Sequence, residues 1–289
     1  MQGFRGPLPI PPAESTSQGP SRFLMQVEGV TKIYPSQLRE SNSPPPAVNN
    51  VSLTVQHSEC VGIVGESGSG KTTLANCLAG LLQPSAGRVL FDGQVVNSAA
   101  AAVRVPRVRG VQIVFQDPVS SLNPRRTIGS VLAEILRVHR LAPRSDITNA
   151  ANALLEQVGL TADLSQRRPG RLSGGQQQRV AIARALAFNP RLIVADEIVS
   201  SLDASVQAQI LNLLDNLRRL RHLSIVLITH DMAVARQLCD RLAVMKRGEI
   251  VELGPIESIF DSPRHQYTIE LLKAVPRLTR SGLQGSGPN

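Results

Sequence analysis

The sequence predicts an α/β fold with a mostly parallel core sheet, and two observations carry that prediction. First, the apolar run Val61 to Val64 leads straight into Gly65-Glu66-Ser67-Gly68-Ser69-Gly70-Lys71-Thr72, and the helical stretch Leu74 to Leu82 follows at once. Strand, glycine loop and helix in this order make a phosphate-binding loop: the glycines let backbone N–H groups face an anion, and the helix turns its positive N-terminus on it. Second, Leu192 to Ala195 and Ser224 to Thr229 are short apolar runs without alternation, as parallel strands buried on both faces require. Each ends in polar residues, Asp196-Glu197 and His230.

The other elements follow in chain order. Residues 1–22 are rich in Pro, Ser, Gln and Gly, bury too little apolar area to fold, and predict a disordered tail. Phe23 to Val30 reads as a strand that ends near Tyr34-Pro35, and Ser41 to Pro46 as a Pro-rich loop. Val51 to Val55 alternates, turns through Gln56 to Glu59 and re-enters as Cys60 to Val64, which predicts a hairpin that delivers the phosphate loop. Ser58 stands where Gly would suit that turn better. Gly87 to Gly93 and Val111 to Phe115 are further strands, the second stopped by Gln116-Asp117-Pro118, while Asn97 to Arg107 carries no signal. Thr127 to His139 and Asp146 to Val158 have helical spacing, with Ile128, Val131, Leu132 and Ile135 on one face, and are read as a separate subdomain. A third helix follows Leu172-Ser173-Gly174-Gly175 and stops at Asn189-Pro190. Beyond it come a helix from Ala204 to about Leu220, a hairpin over Leu242 to Leu253 turning at Lys246-Arg247-Gly248, a terminal helix from Tyr267 to Val275, and a disordered last ten residues.

Composition narrows the function. With 289 residues and 42% apolar content, the chain can fill one large core or two small ones. The formal charge of +9 comes mostly from arginines, with small clusters at Arg104 to Arg109, Arg125-Arg126 and Arg218 to Arg221. Only six Phe and two Tyr are available, so no aromatic platform accompanies these charges for single-stranded nucleic acid, and an anionic bilayer face is the better partner. No apolar run reaches the span of a membrane helix, about 18 residues, and Met1 to Pro20 lacks a signal-peptide core, so a cytoplasmic chain is expected. Cys60, Cys77 and Cys239 are odd in number and widely spaced, and read as packed free thiols.

Open α/β sheets bind ligands at the carboxyl ends of their strands, so Gln116, Asp196, Glu197 and His230 are expected to converge on the phosphate loop. Lys71 would reach the β- and γ-phosphates of a nucleotide, and the Thr72 hydroxyl would ligate Mg²⁺.

Leu172-Ser173-Gly174-Gly175-Gln176-Gln177-Gln178-Arg179 resembles the signature motif of the ATP-binding subunits of ABC transporters, and the resemblance covers about Phe23 to Leu278. It implies a P-loop NTPase domain of the ABC type over residues 23–255, with a mostly parallel core sheet, an antiparallel β subdomain and an inserted α-helical subdomain at about 117–187. An importer-type extension over 256–289 follows. By the same resemblance Gly65 to Thr72 with Thr73 bind ATP, namely Gly65, Glu66, Ser67, Gly68, Ser69, Gly70, Lys71, Thr72 and Thr73, while Tyr34 stacks on adenine. Asp196, Thr72 and Gln116 hold Mg²⁺, and Glu197 is the general base, with Gln116 and His230 as its catalytic neighbours. Ser200 to Asp203 matches the D-loop. Ser173, Gly174, Gly175, Gln176 and Asp203 would touch the ATP of the opposite subunit, so catalysis requires a dimer. Ile198 departs from the Pro common in the family and leaves the base in place.

Phe115 to Arg125, Ser262 to Thr268 and Leu271 to Pro276 are similar to oligopeptide, dipeptide and nickel importers, with Gln266 in place of the usual Pro. That resemblance implies a peripheral ATPase of peptide uptake at the cytoplasmic face of the membrane. Its partners would be two transmembrane permease subunits, a second homologous ATP-binding subunit in a heterodimer, and an extracytoplasmic solute-binding protein. Nickel and opine importers share both segments and stay open. A nucleic-acid-associated ATPase of this type would carry a long coiled coil or two cassettes, and a plain P-loop kinase leaves residues 172–179 unexplained. With no cysteine beyond Cys239, no iron–sulfur cluster is expected.

Overall fold

The computed structural model describes residues 21–34, 45–100, 110–118 and 122–274. The expected tail up to residue 20, most of the loop at 41–46, the arginines at 104–109 and the last ten residues lie outside these. In chain order the elements are β1 (Met25–Lys32), β2 (Val48–Val55), β3 (Cys60–Val64), α1 (Lys71–Leu78), β4 (Ala86–Phe91), β5 (Gln94–Ser98), β6 (Val111–Val114), α2 (Ile128–Val138), α3 (Ile147–Gln157), α4 (Gly174–Leu186), β7 (Leu192–Asp196), α5 (Ala204–Arg221), β8 (Ser224–Thr229), α6 (Met232–Leu238), β9 (Arg241–Lys246), β10 (Glu249–Pro255), α7 (Ile256–Asp261) and α8 (Gln266–Ala274).

Six strands form the core sheet in the order β10-β9-β3-β8-β7-β6. All neighbours are parallel except the edge pair β10 and β9. Every residue of β3, β7 and β8 is buried, which is why these strands read as apolar runs. Register sets Val64 beside Thr229 and Asp196 beside Ile228, so their polar ends lie side by side.

A second, antiparallel sheet has the order β2-β1-β4-β5, and here the sequence reading needs correction. β2 and β3 are not a hairpin: β2 pairs with β1, Val55 opposite Met25, whereas β3 lies between β8 and β9 in the other sheet. Burial explains the divergence. Val51, Leu53 and Val55 are buried and their neighbours are not, as in a strand with one covered face, but Cys60 to Val64 needs cover on both. The turn from Gln56 to Glu59 therefore carries the chain from one sheet to the other. It is held by Gln56 N–H donating to Glu59 Oε2 (2.6 Å) and Ser58 N–H donating to Ser224 Oγ (2.8 Å). β5 also escaped the reading, although Asp92-Gly93, both at positive φ, supply the hairpin turn that leads into it. The short helices α6 and α7 escaped it as well. In α2, Leu136 takes the fully buried place expected of Ile135, which is partly covered.

Alternate residues of the core strands feed two apolar clusters. Val61, Ile63, Val194, Val226 and Ile228 pack with α1 and the antiparallel sheet, while Val64, Ile193, Ala195, Ile225 and Leu227 pack with the helices on the other face. Leu132 of α2 and Leu155 of α3 belong to this second cluster. Cys60, Cys77 and Cys239 are free and buried, and burial pushes the Cys77 thiol up to about 11. Among the described residues no helix is long and apolar enough to cross a membrane.

Ser58 holds φ +59°, a left-handed conformation that costs an L-residue about 1 kcal/mol. Ser58→Gly keeps the N–H donor to Ser224, so the variant is expected to be more stable by a few tenths to about 1 kcal/mol in urea unfolding.

Candidate functional site

The loop between β3 and α1 is enclosed by backbone. A Cβ on Gly65 would lie 2.1 Å from Met245 O, and one on Gly70 would lie 2.1 Å from Ala47 O, with Gly70 also at φ +102°. Glycine is thus forced at both ends of the loop. Two further bonds fasten it: Gly248 N–H donates to Ser69 O (2.9 Å) and Glu66 N–H donates to Tyr267 Oη (2.9 Å). Within α1 the first backbone bond is from Leu74 N–H to Gly70 O. The N–H groups of Lys71, Thr72 and Thr73 therefore have no intrahelical acceptor, and the first turn holds no acid to compete with an incoming anion.

Lys71 is only 4% exposed, and its Nζ donates to Gly65 O (2.8 Å) and Glu66 O (2.7 Å). Burial lowers its pKa, and the nearby Glu197, Asp196 and Glu66 oppose that shift. Asp196 is 5% exposed, and the Thr72 hydroxyl donates to its Oδ1 at 3.4 Å. Burial raises the Asp196 pKa, helped by Glu197 and opposed by Thr72 and Lys71. A hydroxyl and a carboxylate this close are hard oxygen donors that suit Mg²⁺.

Glu197 leaves the sheet at φ +50° with its N–H on Ile228 O (2.9 Å), and His230 Nδ1 is 3.6 Å from Glu197 Oε2. Gln116 reaches the same residue through Ser200: Gln116 Nε2 donates to Ser200 Oγ (3.1 Å), which donates to Glu197 O (2.9 Å). Gln116 is thus held at Ser200, beside Glu197, rather than at Thr72 or Asp196. This bridging role of Ser200 was not legible in the sequence, and neither was the contact of Tyr267 with the loop. Ile198, which follows Glu197, is buried in the core. Tyr34 is 47% exposed, with its hydroxyl 3.4 Å from Thr73 Oγ1 and Lys32 Nζ 5.6 Å from its ring centre, so the ring lies beside the loop helix.

Ser173, Gly174, Gly175 and Gln176 start α4. Ser173 Oγ accepts from Gln176 N–H (3.3 Å) and Gln176 Oε1 accepts from Ser173 N–H (3.0 Å), a reciprocal cap. Asp203 caps α5, its Oδ1 accepting from Val206 N–H (2.9 Å) and Ser205 N–H (3.0 Å). The Val206 N–H, with the Ser205 groups behind it, lowers the Asp203 pKa. The two caps share one surface, since a Cβ on Gly175 would sit 2.4 Å from Val206 Cγ1 and one on Gly174 would sit 3.4 Å from Leu202 Cδ2. Among the described residues none of their hydrogen bonds reaches residues 65–73. The structure therefore makes two separate groups: the loop with Asp196, Glu197, Gln116, His230 and Tyr34, and the α4 start with Asp203.

The family described as ABC transporter matches residues 48–200, and the one described as oligopeptide/dipeptide transporter, C-terminal region, matches residues 251–289. The chain is 42% identical over 256 residues to the glutathione import ATP-binding protein GsiA of Salmonella paratyphi A, covering 88% of this chain but only 41% of that protein. It is 45% identical over 260 residues to a probable peptide ABC transporter ATP-binding protein of Sinorhizobium fredii, covering 89% of this chain and 73% of that one. Among solved structures, CbiO1 from Clostridium perfringens, part of the ABC transporter complex CbiONQ, superposes with TM-score 0.72 at 26% identity over 84% of this chain and 92% of that chain. A dimeric ATP-binding cassette in a post-hydrolysis state with ADP and Pi superposes with TM-score 0.69 at 31% identity, over 80% of this chain and 98% of that one.

Gly175→Ala is expected to lower stability by about 1–3 kcal/mol, the cost of overpacking, and Val206→Ala in the same chain to recover part of the loss, read by urea unfolding. Asp203 has a depressed folded pKa, so its cap contributes above the ordinary carboxyl range and is lost as pH falls through the folded value. Asp203→Asn should flatten that acid limb of the stability profile.

Proposed function

The chain belongs to the ABC transporter family, and from this premise we propose that it is the ATP-hydrolysing subunit of an importer, coupling ATP binding and hydrolysis to peptide uptake. The observation that carries the reading is the meeting of the loop, Asp196 and Glu197 at the level ends of three adjacent parallel strands. ATP would enter with its phosphates on the N–H groups of Lys71, Thr72 and Thr73, which lack intrahelical acceptors, and adenine on the ring of Tyr34. Lys71 then exchanges the carbonyls of Gly65 and Glu66 for phosphate oxygens. Thr72 and Asp196 would hold Mg²⁺, which would neutralise charge on the β- and γ-phosphates, and Gln116 would join them only on leaving Ser200, where it rests in this structure.

Glu197 polarises the attacking water. The water oxygen bonds to the γ-phosphorus, the bond from that phosphorus to the β–γ bridging oxygen breaks so that ADP leaves with the electron pair, and the carboxylate takes the water proton. His230 lies against the same carboxylate, and Gln116 and Ser200 steady its backbone. Positive φ at Glu197 is consistent with a residue whose direction is fixed by its surroundings. The start of α4 and Asp203 form a second surface that, among the described residues, makes no hydrogen bond to the chain's own loop, which supports their use on the ATP of a second, homologous subunit.

The division into an ATPase domain at 23–255, with helices at about 117–187, and an extension at 256–289 belongs to the same reading. Peptides are favoured as cargo because residues 251–289 match the oligopeptide/dipeptide C-terminal region, and because the relatives are named for glutathione import and peptide transport. The partners would be two permeases, a sister ATP-binding subunit and an extracytoplasmic binding protein, with this chain peripheral on the cytoplasmic membrane face. A net charge of +9 suits that surface.

Glu197→Gln should bind ATP normally while turnover falls by about 10²- to 10⁴-fold, measured as phosphate release; near-normal hydrolysis would remove Glu197 from its role. Gly174→Asp, which has room for its Cβ, should leave nucleotide affinity of the isolated chain unchanged but abolish activity of the assembled complex through repulsion of the facing γ-phosphate. Cells carrying Lys71→Ala should lose uptake of labelled di- and oligopeptides and keep nickel accumulation; the reverse pattern would move the cargo to metal.

A further inference from the structure

The phosphate loop is touched from outside by a segment that the proposed chemistry does not use. Glu66 N–H donates to Tyr267 Oη on α8 at 2.9 Å, across 201 positions of sequence. The same residue's carbonyl accepts from Lys71 Nζ at 2.7 Å, and the carbonyl of Gly65, on the peptide that carries this N–H, accepts at 2.8 Å. The peptide unit joining residues 65 and 66 is thus gripped on its N–H side by Tyr267 and on its oxygen side by the ammonium that would meet phosphate. Because a peptide unit is planar, fixing one side fixes the other.

Tyr267 is itself well anchored. It is 2% exposed, and Lys246 Nζ lies 4.3 Å from its ring centre. Its N–H donates to His265 Nδ1 at 3.1 Å. The residues just before it hang from β10, where the two carboxylate oxygens of Glu252 accept from Arg264 N–H (2.8 Å) and His265 N–H (3.0 Å). Lys246 and Glu252 belong to the antiparallel pair β9–β10, whose turn also holds Ser69 O through Gly248 N–H. Strand pair and helix therefore meet the loop at two points, and Tyr267 supplies the one made by a side chain. Burial raises the pKa of the phenol, which keeps its proton while a lone pair accepts from Glu66.

We propose that Tyr267 is a positioning residue for the phosphate loop: its hydroxyl fixes the peptide between Gly65 and Glu66, and through it the seat of Lys71, so that the segment following β10 sets nucleotide affinity. The affinity consequence rests on the ATP reading given above; the positional claim rests on the hydrogen bond itself. Without this acceptor the partly buried Glu66 N–H loses its partner and the peptide is free to rotate, taking the ammonium with it.

The test is Tyr267→Phe in the full chain, which keeps the ring and its contact with Lys246. Amide exchange at Glu66, followed by NMR without nucleotide, should accelerate by about tenfold, while amides inside β3 and α1 keep their protection. The KM for ATP should rise by about three- to tenfold, the range for one net hydrogen bond, with kcat within about twofold of the wild type. Unchanged exchange at Glu66 would overturn the proposal, and so would faster exchange spread through β3 and α1 with a lowered Tm, which would make Tyr267 a packing residue only. An unchanged KM beside accelerated Glu66 exchange would overturn the link to affinity. If the wild-type chain bound no ATP, the ATPase reading would fail while the exchange measurement still decided the positional claim.

Discussion

The approach of two backbone segments to the phosphate loop is the constraint on which the rest depends. Met245 O stands where a side chain at residue 65 would be, and Ala47 O where one at residue 70 would be. The loop takes its shape where β3 lies next to β9 in the core sheet and where Ala47, just before β2, lies against Gly70. Both sheets thus act on one short stretch of chain. The N–H groups at the head of α1 have no side-chain cap, since Gly70 can offer none.

Burial and charge work against each other in this site, and the balance suits its chemistry. Lys71 and Asp196 are both nearly inaccessible and both shifted toward their neutral forms by desolvation, yet each is the other's opposing charge. Such a pair is ready to trade partners: the ammonium rests on two carbonyls that a phosphate can replace, and the carboxylate rests on the hydroxyl of Thr72. Glu197, Gln116, Ser200 and His230 form a more open shell next to it, linked through one backbone carbonyl and one carboxylate.

The start of α4 obeys a separate logic. Its reciprocal cap satisfies two N–H groups at the start of the helix locally, and the missing side chain at Gly175 lets α5 come close, since a Cβ there would meet Val206. Asp203 caps α5 beside it, through Val206, the residue that a Cβ on Gly175 would meet. Among the described residues these caps close on themselves and make no hydrogen bond to the loop.

The sequence by itself determined the pieces whose physics is local. A buried strand, a glycine loop and a helix are contiguous, so the loop and Lys71 were legible; uninterrupted apolar runs marked β7 and β8; and the resemblance at Leu172 to Arg179 pointed to the α4 start. Helices α2 and α3 were legible because their period is written in neighbouring residues. Tertiary structure alone decided who pairs with whom. Alternation in Val51 to Val55 and continuity in Cys60 to Val64 each name a strand, but the sheet that takes each is chosen by cover from remote elements, which is why the expected hairpin became a crossing between sheets. The same holds for Cys60 and Cys239, 179 positions apart with sulfurs at 3.6 Å, for Ser200 between Gln116 and Glu197, and for Tyr267 on Glu66. Hydrophobic period records whether a residue is covered and on which side; it carries no label for the group that does the covering.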